Sequence, residues 1–140
     1  MKGKELESIT KELIEGYIKK AEGKLAVAKK LFDTKDYEDS VSRAYYAVFH
    51  AAQGLLLTEG QKTETHKGVV TLFGLFFVKT GKFNKNFGKY LSNLKDDRES
   101  GDYELFSFLD QETAKTALEE AEEFLKETKS YLLSIHILDQ

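Results

Sequence analysis

The chain has 140 residues, 41% of them hydrophobic and 32% charged, which suits a globular domain with a core of its own; the net charge of −3 does not by itself announce a nucleic-acid binder. It contains no cysteine, which excludes disulfides, thiolate metal sites and cysteine nucleophiles. The longest apolar run, GVVTLFGLFFV, spans eleven residues where a membrane helix needs about 20, and MKGKELESITKEL at the start has no signal-peptide stretch, so one cytoplasmic domain over residues 1–140 without membrane contact is expected.

No proline stops a helix anywhere in the chain, and boundaries must be read from glycines, caps and changes of period. Ile14, Ile18, Ala21, Leu25, Ala28 and Phe32 advance by three or four residues, the apolar stripe of a long helix from about Lys4 to Asp33. Gly16 and Gly23 each cost about 1 kcal/mol there relative to alanine and leave room for a break near its start. A second helix spans about Asp36 to Leu57, with Tyr37, Val41, Ala44, Val48, Ala51 and Leu55 inward. It ends at TEGQKTET, where Gly60 supplies a left-handed turn and Thr63 or Thr65 caps the next helix.

The third helix, about Thr65 to Lys79, is apolar around more of its circumference than one core-facing side requires, which predicts a second partner, most simply another subunit. Phe83 to Leu94 form a shorter amphipathic piece, followed by a polar break at KDDRESGDYE. The last helix begins near Asp110, an N-cap, and turns Ala114, Ala117 or Leu118, Ala121, Phe124 or Leu125, Thr128, Leu132 and Ile135 inward. No segment has a strand period, so the expected architecture is all-α, an up-and-down antiparallel bundle of four to five helices. Charge is uneven along it: Lys79 to Lys95 holds five lysines and no acid, and Asp96 to Glu127 holds twelve acids against three bases.

Within SRAYYAVFHAA on the second helix, Arg43 and His50 are seven residues apart, about 20° short of two full turns, and so share a face about 10.5 Å apart along the axis. Tyr46 lies between them, and Gln53 or Gly54 continues the line. A phosphate between the two would meet a planar five-donor cation and a group that titrates near neutral pH. That equipment suits RNA cleavage by the adjacent 2′-hydroxyl, with histidine moving the proton, arginine neutralising charge and no metal or other cofactor required. On spacing alone, both residues serve equally well as hydrogen-bonding partners of the bundle's own loops and carboxylates.

The order YEDSVSRAYYAVFHAAQGLLL, then THKGV, a basic loop, DDRESGDY and a long acidic-faced helix resembles the HEPN superfamily of higher eukaryotes and prokaryotes, closest to small stand-alone prokaryotic members with SRAYYAxFHAA. The likeness runs from about Lys11 to Leu132. It implies a helical bundle, usually a symmetric homodimer, often encoded with a minimal nucleotidyltransferase as a toxin and antitoxin pair. Many members are metal-independent endoribonucleases whose signature is arginine, four to six residues, then histidine; carried onto this chain it falls on Arg43 and His50. In the ribonuclease members the signature usually lies nearer the stretch that here reads RESGDYEL, where Arg98 has no histidine four to seven residues on and Tyr103 takes one such position. Asp102 and Tyr103 match the family's recurrent DY, a structural pair that would orient Arg98 or Arg43. The alternative to an enzyme is a non-catalytic module that binds a nucleotidyltransferase partner or a nucleotide.

Other residues offer weaker sites. His66 and Lys67 fall in the first turn of the third helix, where free backbone N–H groups favour an anion or simply make a capping turn. Lys82, Lys85 and Lys89 interleave with Phe83, Phe87 and Tyr90, which describes either a track for phosphates and bases or solvated lysines beside buried aromatics. His50, His66 and His136 have no metal-ligand spacing.

Overall fold

The long stripe beginning at Ile14 builds α1 (Gly3–Asp33), which folds back on α2 (Tyr37–Leu57). Then follow α3 (His66–Phe73), running into a π-helical turn (Gly74–Val78), α4 (Lys85–Tyr103) and α5 (Gln111–Ser134). The computed structural model describes residues 3–103 and 109–138, with the side chains of residues 3–6 and 100–103 outside that description. The fold is an all-α up-and-down antiparallel bundle, with no strand among the described residues. No described helix is long and apolar enough to cross a membrane.

Helix α2 is the central element, touching α1, α3, α4 and α5, with α1 its most extensive neighbour. Its small residues Ala44, Ala47, Ala51 and Ala52 are buried and let α1 approach closely. Ser40, fully buried, donates to the Ala28 carbonyl at 2.8 Å and ties the start of α2 to the end of α1. Helix α1 runs unbroken through Gly16 and Gly23, both exposed, because burying Ile14, Ile18, Ala21, Leu25 and Ala28 outweighs two glycine penalties.

Caps close the turns as the residue types suggest. Gly60 takes φ 68° after Thr58 Oγ1 donates to the Leu55 carbonyl at 2.6 Å, and Thr65 Oγ1 accepts from Gly68 N at 3.0 Å. A Cβ at position 68 would lie 2.4 Å from Thr63 Oγ1 and 2.6 Å from Thr65 Oγ1, so any larger residue there would displace the capping hydroxyls. Asp110 caps α5 by accepting from Thr113 N at 2.9 Å. The expected inner face of α5 is buried from Ala114 to Leu132, but Ile135 is exposed, because the helix has ended at Ser134.

Two expectations need correction. The polar break at KDDRESGDYE is instead the second half of α4, which runs to Tyr103. Charged residues propagate a helix when one face has something to pack against: Leu91 and Leu94 are fully buried, Lys95 pairs with Glu99 one turn on at 2.9 Å, and Arg98 lies over the rings of Tyr45 and Tyr46. The apolar surplus of the third helix is also mostly absorbed within the chain. Val69, Phe73 and Phe77 are fully buried, and Val70, Leu72, Phe76 and Val78 pack partly against the core, leaving Leu75 as the exposed member.

Candidate functional site

Helix α1 presents Tyr17, Lys20 and Lys24 along one line, beside the core-facing line of Ile14, Ile18, Ala21, Leu25 and Ala28. Against it, α2 presents Asp39, Ser42, Arg43, Tyr46 and His50. Lys20, Lys24 and those five residues enclose a cleft of about 430 Å³. Arg43 is exposed, whereas His50 retains only 8% of its surface. The shared face inferred from seven-residue spacing is therefore real, with the guanidinium at the mouth and the imidazole set into the wall.

The imidazole is held from three sides. Tyr17 stacks near it at 6.4 Å between centroids, Tyr46 at 6.1 Å, and Phe49 is tilted against it at 5.5 Å. Its Nδ1 lies 2.9 Å from Gln53 Oε1, and Gln53 Nε2 donates to the Thr63 carbonyl at 3.1 Å. Because that amide donates to the loop, its oxygen faces the histidine, so Nδ1 is the N–H donor and neutral His50 keeps its lone pair on Nε2. Burial pushes the His50 pKa below its ordinary value, and Lys20 and Lys24 push it further, against an opposing pull from Gln53. At neutral pH His50 is thus an uncharged base among cations. None of Lys20, Lys24 and Arg43 has a carboxylate within ion-pair distance among the described residues.

Tyr46 separates this cleft from a second cluster. Its hydroxyl accepts from Arg98 Nη2 at 3.2 Å, and the Arg98 guanidinium lies 5.4 Å from its ring and 5.9 Å from that of Tyr45. On that side Tyr45 pairs through its hydroxyl with His66 Nδ1, and the His66 ring packs on Phe49 at 4.8 Å. Burial, then Arg98 and Lys95, lower the His66 pKa, and burial raises that of Tyr45. The pair is therefore a neutral tyrosine donating to a neutral histidine. Arg98 thus reaches the candidate site through Tyr46 and does not line the cleft.

The remaining candidates are dispersed. Lys67 is exposed on the first turn of α3. Lys82 is bonded to Glu59 and sits over the Phe77 ring, and Lys85 and Lys89 are exposed on the first turns of α4. None of these lines the Arg43–His50 cleft. Their aromatic neighbours Phe83 and Phe87 are buried at 3% and 9% exposure, which removes them as base-stacking platforms. Asp102 and Tyr103 close the last turn of α4, and their side chains lie outside the described residues. Across α4 and α5, burial together with Asp97 and Glu123 pushes Glu120 up to about 7. Among the described residues no three His, Asp, Glu or Cys side chains gather as metal ligands would.

Sequence reasoning missed Lys20, Lys24, Asp39 and Ser42. Tyr17, Lys20 and Lys24 do form a helical line in the sequence, but nothing in α1 says which element that line will face.

A family model described as HEPN domain matches residues 14–131. A protein of Methanocaldococcus jannaschii named "Putative toxin MJ0605" is 38% identical over 125 residues, covering 89% of this chain and 92% of that protein. A second from the same organism, "Putative toxin MJ0142", is 33% identical over 138 residues, 99% of this chain and 94% of its own. The crystal structure of TT1696 from Thermus thermophilus shares the fold with a TM-score of 0.74 at 18% identity, covering 85% of this chain and 98% of that one.

Proposed function

The chain belongs to the HEPN domain family, and from that premise we propose that it cleaves RNA in the cleft between α1 and α2, without calling on a metal. The observation that carries this reading is a neutral imidazole, its free Nε2 fixed by Gln53, sharing one cleft with an arginine that has no ion-pair partner among the described residues. His50 Nε2 takes the proton of the 2′-hydroxyl, the 2′-oxygen attacks the adjacent phosphorus, and the bond from phosphorus to the 5′-oxygen breaks. Arg43 neutralises charge on the phosphoryl oxygens, and the leaving 5′-oxygen takes its proton from water. The products are a 2′,3′-cyclic phosphate and a 5′-hydroxyl. The test is a time course on single-stranded RNA in EDTA, scored for cyclic phosphate ends; RNA that is bound but never cut favours the non-catalytic module instead.

The pH dependence has a definite sign. Only the unprotonated base works, and burial lowers the pKa at which His50 loses its proton. Activity is expected to rise with pH along an acid limb whose midpoint lies below the ordinary histidine value of about 6.5, then run flat through neutrality. A midpoint above 7 would contradict the assignment. Gln53 acts as a positioning residue. Gln53→Leu should lower kcat by about tenfold to a hundredfold, whereas Gln53→Glu, which still accepts from Nδ1–H but loses the N–H that donates to the Thr63 carbonyl, should restore only part of it and move the acid limb upward.

The toxin names of two relatives and the resemblance in sequence support placing this activity in a toxin and antitoxin pair, with a minimal nucleotidyltransferase as the restraining partner. We also propose a homodimer, supported by the resemblance in sequence. Light scattering at micromolar concentration should give twice the mass of one chain, and the mass of a single chain would remove this part.

A further inference from the structure

Some lysines between packed helices are held in ion pairs. Lys29 meets Glu122 at 3.3 Å, Lys129 meets Glu22 at 3.3 Å, and Lys82 is bonded to Glu59. Lys20 and Lys24 differ: they stand one turn apart on α1, about 6 Å along its axis, without an ion-pair partner among the described residues, and both line the cleft that holds Arg43 and His50. The one acid among the described residues lining that cleft, Asp39, sits four residues before Arg43, at the α2 N-terminal end. Cation density in the cleft exceeds what one phosphate between Arg43 and His50 would need. A row of cations along a helix, with a single carboxylate among the residues lining the cleft, is an arrangement that follows a polyanion backbone.

We infer that Lys20 and Lys24 form a phosphate track on α1 that holds the strand on either side of the phosphate placed between Arg43 and His50, so that the substrate is a single strand of several nucleotides. This rests on the RNA-cleaving reading of the same cleft. The two lysines act in binding, and Arg43 and His50 act in chemistry.

The experiment uses the full chain and a labelled 12-nucleotide 2′-O-methyl RNA, which lacks the attacking hydroxyl and stays intact. Anisotropy titrations of Lys20→Ala and Lys24→Ala should each show about tenfold weaker binding. The plot of log affinity against log salt should flatten by about 0.7 for each lysine removed. Wild type should bind the 12-mer far more tightly than a dinucleotide, and the double variant should lose most of that preference. Lys29→Ala, in a lysine paired away from the cleft, should bind like wild type. Affinity and salt slope unchanged in the double variant would overturn the track, even if wild type cuts RNA. Lysine-dependent binding by a protein that never cuts cleavable RNA would keep the track and remove the cleavage reading.

Discussion

His50→Ala is expected to slow RNA cleavage by about 10²–10⁴-fold, the scale of a positioned general base, while leaving affinity for uncleavable RNA within a few-fold. The imidazole supplies the only unprotonated nitrogen base among the described residues lining the cleft. Arg43→Ala should cost about 10²–10³-fold, as loss of a charge-stabilising donor does, and Arg43→Lys should recover only part, since an ammonium cannot present two parallel donors to a phosphate. The two residues serve one transition state, so the double variant should be little worse than His50→Ala alone. Removing His50 strands the Gln53 oxygen, at a cost of about 1–3 kcal/mol, so each variant's thermal melt must accompany its rate. Wild-type rates in EDTA from a folded His50→Ala protein would end the catalytic assignment.

The second large effect concerns the core. Phe83 lies in the loop before α4 at 3% exposure, and its ring contacts those of Phe73 at 5.5 Å, Phe77 at 5.6 Å, Phe87 at 5.5 Å, Phe124 at 6.3 Å and Tyr131 at 5.6 Å. Its amide donates to the Phe77 carbonyl at 2.8 Å, which pins the loop under the π-helical turn. Phe83→Ala should destabilise the fold by about 3–5 kcal/mol, a large share of the roughly 5–15 kcal/mol typical of a whole domain. The denaturation midpoint should drop with an unchanged slope. A loss under about 1 kcal/mol would mean that this aromatic cluster does not hold α3, α4 and α5 together.

Phe83 also shows where sequence reading reaches its end. In KTGKFNKNFGKY the same letters describe lysines and aromatics on an RNA-binding surface or lysines in solvent above buried rings. Only the arrival of Phe73, Phe124 and Tyr131 from distant segments decides for the core. The second half of α4 was hidden for a similar reason, because its polar residues become helical through the rings of Tyr45 and Tyr46, about fifty residues upstream. The Arg43–His50 pair was legible because it lies on one helix, where spacing alone sets direction. The tautomer of His50 was not, since it depends on an amide oriented by the Thr63 carbonyl across a turn.

What the sequence determined by itself was local to single helices: the stripes of α1, α2 and α5, the caps at Thr65 and Asp110, the turn at Gly60 and the face shared by Arg43 and His50. Tertiary structure alone decided what each face meets. It set Lys20 and Lys24 opposite the reaction pair, sent His66 to Tyr45 and hid the aromatics of the basic loop. The physical reason is that helical periodicity fixes the direction of a side chain relative to its own axis, while charge, burial and proton affinity depend on which other axis packs against it.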